Sequence, residues 1–133
     1  MSTQTSEYML LFRGTDWHKG LSPEEIQEVV KQMYAWLDRL TAAGKAKAGK
    51  PLFPEGKIVS QKKGRSIADG PFAESKEAIG GFFLLEVGSL DEAAEIAKDF
   101  PGLNYGATVE VRPVAPECRL ALSPAEQPAR ASA

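Results

Sequence analysis

The 133-residue chain predicts an α+β domain of ferredoxin-like type, a βαβ-βαβ protomer with an antiparallel sheet and an extra hairpin. Three observations carry that expectation. Tyr8–Arg13 and Phe82–Val87 are short, near-continuous apolar runs that suit strands buried on both faces. A Ser-x-x-Glu capping box follows each of them and opens an amphipathic helical pattern. Finally, Thr108-Val109-Glu110-Val111-Arg112-Pro113 alternates cleanly, as a half-buried strand should.

Each element has its own physical signal. In the first helix Ser22 is the expected N-cap, Pro23 sits at the first helical position and Glu25 completes the capping box. Ile26, Val29, Val30, Met33, Trp36, Leu37 and Leu40 recur at three- and four-residue spacing and define one apolar stripe. Tyr34 falls off that stripe; with Trp36 it is read as core or interface. Gly44 suits the left-handed residue that ends the helix. Lys45–Ala68 is broken by Pro51, Pro54, Gly56 and Gly64, leaving Leu52-Phe53 and Ile58-Val59 as strand fragments. Gln61–Arg65 reads as a hairpin tip leading into Ser66–Ala68, with Lys62, Lys63 and Arg65 as solvated turn charges. A loop, Asp69–Gly81, leads to the second apolar strand. Ser89-Leu90-Asp91-Glu92 then opens helix two, whose apolar positions Ala93, Ile96, Ala97 and Phe100 run to a stop at Pro101.

Two helices can cover only one face of such a sheet, yet two of its strands are apolar on both faces. The simplest cover for the second face is the same face of another copy, so a two-fold homodimer is expected. A Lys45–Ala68 excursion folding back would serve the same end.

Composition narrows the function classes. Sixteen Lys and Arg against eighteen Asp and Glu give a net charge of −2, which argues against direct nucleic-acid binding through bulk positive charge. Cys118, the single cysteine, has no internal disulfide partner and is read as structural or incidental. No apolar run is long enough for a signal peptide or a membrane span, so the expected location is cytoplasmic. Residues 1–118 read as one domain and 119–133 as an Ala/Pro-rich tail.

The segment Asp69-Gly70-Pro71-Phe72-Ala73-Glu74-Ser75-Lys76-Glu77, followed by Gly80-Gly81-Phe82, resembles the signature of the DGPF branch of the YCII-related family. Tyr8–Leu11, Leu21–Glu25 and Thr108–Val114 fit the same pattern, so the resemblance spans about residues 7–114. It implies a dimeric α/β-barrel assembly of ferredoxin-like protomers. The wider superfamily includes cofactor-independent oxygenases and isomerases, some YCII-like relatives carry a His–Asp pair in a pocket, and some DGPF-type proteins associate with alternative sigma factors. His18, the only histidine, lies before the first helix and outside any motif matching that pair.

The candidate residues therefore carry two readings each. Asp69 either shapes a turn with Gly70 and Pro71 or presents its carboxylate to a pocket as acid, base or ligand anchor. Glu77 could converge with it; two neighbouring carboxylates raise one pKa and permit proton transfer. Phe72, with Pro71 and Gly80, would line the pocket, while Glu74 and Lys76 read as a solvated pair. His18 could shuttle protons, because histidine titrates near neutral pH, or stand exposed in its loop. Gly80-Gly81 precedes a strand, not a helix, and so has no phosphate-loop context. One His and one Cys, far apart, offer no metal site, and no serine sits in a nucleophile elbow. No cofactor is expected. The expected function is binding of a small organic ligand, or cofactor-free proton transfer on it, in a pocket under the Asp69–Glu77 loop. The alternative is a non-enzymatic regulatory module contacting a sigma-type transcription factor.

Overall fold

The computed structural model describes residues 4–14, 16–61, 78–117 and 120, and the backbone of 66–69. The chain runs β1 (Ser6–Arg13), α1 (Pro23–Ala42), β2 (Ala46–Pro51), β3 (Lys57–Ser60), β4 (Ser66–Asp69), β5 (Ile79–Val87), α2 (Leu90–Ala97), a 3-10 turn (Pro101–Tyr105) and β6 (Thr108–Pro113). Four strands form one antiparallel sheet in the order β2-β5-β1-β6, and β3 pairs with β4 in a separate hairpin. With the hairpin set aside, the order is that of a ferredoxin-like α+β fold.

Helix α1 begins and ends as its sequence dictates. The Ser22 hydroxyl accepts from the Glu25 N–H at 3.1 Å, and the Glu25 carboxylate accepts from the Ser22 N–H at 3.0 Å. Two of the orphan donors at the helix start are thereby satisfied. At the other end Gly44 takes φ = 75°, and the N–H groups of Gly44 and Lys45 donate back to the carbonyls of Thr41 and Leu40. That closing turn turns the chain directly into β2.

Helix α2 is shorter than its apolar spacing predicts. Only half of the expected capping box forms at Ser89: its hydroxyl accepts from the Glu92 N–H, but the Glu92 carboxylate accepts from Gly88 instead. The helix ends at Ala97, three residues before Phe100. Phe100 precedes Pro101 and is extended, with ψ = 121°, because the proline ring disfavours helical backbone in the residue before it.

The sheet's inner face carries the core. Tyr8, Leu10, Leu85 and Val87 pack with Trp36 and Leu40 of α1 and with Ala93 and Ala97 of α2. Leu10 and Leu85 are fully buried, and each contributes about 1.5–3 kcal/mol of transfer free energy. The outer face follows from the period of two. Met9, Leu11, Phe82 and Leu84 form a half-buried apolar square outside the core cluster, with Leu11 opposite Phe82 and Met9 opposite Leu84. Among the described elements the β3–β4 hairpin makes its close backbone contacts within itself and not with β1 or β5.

Two boundaries differ from the sequence reading. β2 occupies Ala46–Pro51, whereas the fragment expected at Leu52-Phe53 lies beyond the strand, with the Leu52 N–H donating to the Gly80 carbonyl of β5. Ala-Lys-Ala-Gly-Lys has neither apolar alternation nor β-branched residues; its strand state comes from pairing with β5. The expected loop Asp69–Gly81 is also shorter at both ends, because Asp69 closes β4 and β5 starts at Ile79.

Gly49 of β2 lies opposite Phe83, and a Cβ at that position would coincide with the Phe83 ring while approaching the Phe82 carbonyl at 2.7 Å. The glycine is required by that close approach. Substituting Gly49→Val is expected to cost about 1–3 kcal/mol by overpacking. Urea unfolding checks it: an unchanged midpoint would mean that Phe83 does not lie across β2.

Candidate functional site

A cleft of about 1030 Å³ opens between α1 and the end of the sheet where β1 leaves and β5 begins. Its floor is aromatic. Trp36 stacks on Phe83 with centroids 6.2 Å apart and planes 23° from parallel. It meets Phe100 at 5.4 Å, and Phe12 edge-on at 6.4 Å. Phe12 in turn tilts against Phe100 at 4.6 Å. The same stripe that fills the core supplies one wall, since Val30, Met33 and Leu37 of α1 also line the space. Opposite them run the glycine-rich backbones of β2 and β5, at Gly49, Gly80 and Gly81.

Three lips surround this floor. The first is the run of turns after β1, held by N–H donations from Trp17 to Gly14, Lys19 to Asp16 and Leu21 to His18. Its Asp16, His18 and Lys19 are exposed, and the Trp17 ring meets His18 edge-on at 5.8 Å and Tyr105 at 6.4 Å. The second lip is Tyr34 on α1, and the third is the Leu52–Lys57 connection into the hairpin. An apolar, concave space with a few polar groups at its margin is the usual form of a small-molecule site.

A sequence profile of the YCII-related domain matches residues 6–117, every strand and helix that builds this cleft. The chain belongs to the YCII-related family. It is 37% identical over 98 residues to an uncharacterised protein of Rhizobium meliloti (strain 1021), covering 71% of this chain and 79% of the relative.

The candidate residues distribute unevenly in this YCII-related fold. His18 and Gly80 line the cleft, and Gly80 is an interior residue of β5. Asp69 is the last residue of β4, paired through its backbone with Lys57, which also lines the cleft. Pro71, Phe72, Glu74, Lys76 and Glu77 lie outside the described residues, as does Cys118. The aromatic residues that make the floor were read from the sequence as core or strand positions. Tyr34 alone gave a signal, by falling off its helix stripe. Among the described residues no group of three or more His, Cys, Asp or Glu could hold a metal ion, and no helix is long and apolar enough to cross a membrane.

Charge pairs frame the sheet. The Arg13 guanidinium donates from Nη2 at 2.7 Å and from Nε at 3.2 Å to the same Glu110 oxygen. Those bonds hold the Glu110 carboxyl below its ordinary value of 4.5. At the opposite corner the Lys47 ammonium, 2.7 Å from Glu86, lowers the Glu86 carboxyl, and Glu86 raises Lys47 in return. Glu25 is lowered by its bond from the Ser22 N–H. Folded-state carboxyl values below the unfolded ones mean stability that is present above about pH 4.5 and lost as pH falls through the folded values. Unfolding midpoints measured from neutral to acid pH should therefore fall below that point, and less steeply for Glu110→Gln. An identical acid limb in the variant would remove Glu110 from this linkage.

Proposed function

We propose that this protein binds a small organic molecule in the cleft between α1 and the sheet, and that any reaction there is cofactor-free proton transfer. The observation that supports this most is the cleft itself: half-buried rings of Phe12 and Phe83 in front of buried Trp36 and Phe100, with titratable side chains at its lips. His18 stands on one lip. The hairpin base, where Asp69 pairs with the cleft residue Lys57, forms another. In the reaction a carbon- or oxygen-bound proton of the ligand passes to the carboxylate of Asp69 or Glu77 and returns at a second position, with His18 as the exchanging partner. The apolar floor favours the neutral over the charged form of the ligand and so favours transfer within the site over release to water. The Asp69–Phe72 motif argues for the DGPF branch of the family, and a cytoplasmic location accords with the composition.

A thermal-shift screen against a broad set of small metabolites tests this reading. Specific ligands raise the melting temperature by mass action. Trp17 and Trp36, the two tryptophans of the chain, both line the cleft, so an occupant should also change intrinsic fluorescence. Asp69→Asn should keep the wild-type melting temperature without ligand and lose the ligand-induced shift. A screen without hits would instead favour a regulatory module that contacts a transcription factor.

A homodimer through the outer sheet face is the second part of the proposal. The apolar square of Met9, Leu11, Phe82 and Leu84 is flanked by the Arg13–Glu110 and Lys47–Glu86 pairs, an apolar centre with a charged rim as in protein interfaces. Leu84→Glu should convert a dimer to a folded monomer by light scattering on a sizing column. A dimeric variant would place the interface elsewhere.

A further inference from the structure

Two aromatic side chains stand at the mouth of the cleft without joining the ring contacts of its floor. Tyr34 is 61% exposed and Phe53 is 85% exposed, and both line the cleft. They come from elements far apart in sequence: the face of α1 that the core stripe leaves out, and the connection between β2 and the hairpin. Phe53 sits between Pro51 and Pro54, neither of which has an N–H to donate, and it lies just beyond the last pairing of β2. Nothing in the core calls for either ring. An exposed phenyl ring between two prolines gains no packing from the protein itself, whereas at the mouth of the cleft it is available to a bound molecule.

The floor itself selects shape. Trp36 and Phe83 lie close to parallel, the Phe83 ring fills the space over Gly49, and with Trp36 buried the half-buried rings of Phe83 and Phe12 are what the cleft presents. A flat aromatic face gives more contact to a flat ring system than to a puckered one. Aromatic rings in contact gain free energy beyond their area burial, a gain that a saturated ring of the same size does not share.

We infer that the cleft takes a planar aromatic ligand, held over the half-buried rings of Phe12 and Phe83 and closed at the mouth by Tyr34 and Phe53. This rests on the small-molecule reading above and names its ligand class. Tyr34 and Phe53 are clamp residues that set affinity and ring preference; neither is assigned a part in proton transfer.

The test uses the full chain and two matched probes, naphthoate and decahydronaphthoate, which share a carboxylate and a carbon skeleton and differ in planarity. Isothermal titration should show naphthoate binding about tenfold tighter, a difference worth about 1.4 kcal/mol. Phe53→Ala and Tyr34→Ala should each remove most of that preference while leaving the melting temperature of the free protein unchanged, as expected of side chains this exposed. Phe53→Leu separates ring character from bulk: it should bind naphthoate as weakly as the alanine variant. Equal affinity for the two probes would overturn the inference, as would an unchanged preference in both alanine variants or the absence of saturable binding by either probe at millimolar concentration. If an aliphatic metabolite from the thermal-shift screen binds where naphthoate does not, the cleft remains a small-molecule site and only the aromatic clamp fails. If no molecule of any class shifts the melting temperature, both fall.

Discussion

The meeting of Trp36 with Phe83 above the bare backbone of Gly49 is the contact on which the rest of the arrangement depends. It joins α1, the central strand β5 and the edge strand β2 at one point. β2 has almost no apolar side chains with which to hold itself to the body. What it offers is the absence of one: without a Cβ at residue 49, the Phe83 ring can lie across the strand and reach Trp36. The same contact ends the closed core. On one side of it Leu10, Leu85 and Leu40 are sealed from water, and on the other the half-buried rings of Phe83 and Phe12 face the cleft. The site is thus an extension of the core, and its rigidity comes from core packing rather than from the loops around it.

That origin explains how the cleft divides its parts. The floor and walls sit on a helix and two paired strands, which fix their geometry. The titratable and exposed groups sit on connections: His18 on the turns after β1 and Phe53 on the link to the hairpin. A rigid apolar scaffold carrying variable chemistry on its loops is a general way for one fold to serve many ligands. The hairpin is the element least tied to the body. Two strands alone are marginal in water, and Ile58 and Val59 remain exposed on it, so its surroundings in the assembled protein bear directly on how the cleft is covered.

The outer sheet face makes a second, separate demand. The pairing register that buries Tyr8, Leu10 and Leu85 places Met9, Leu11 and Leu84 on the opposite side, because a strand cannot bury two successive residues on one face. An apolar outer face is therefore a choice written into the alternate positions, not a consequence of core formation. The ion pairs at its corners mark where the apolar area ends.

How much of this was legible in the chain depends on whether the signal was local. Capping is local: Ser22, Pro23, Glu25 and Gly44 determined where α1 begins and ends, because each acts on backbone groups within a turn of itself. Apolar periodicity is nearly so, and it determined β1, β5, β6 and the ferredoxin-like order. Only the tertiary structure decided the rest. β2 became a strand because β5 supplied the hydrogen bonds, not because Ala46–Pro51 favours extended backbone. Gly49 acquired its meaning from a ring thirty-odd residues away in sequence. The cleft arose where Trp36, Phe83, Tyr34 and Phe53, read singly as core, interface or strand, were brought to one place by pairings between distant segments. A site made by such pairings leaves no pattern in any one stretch of sequence.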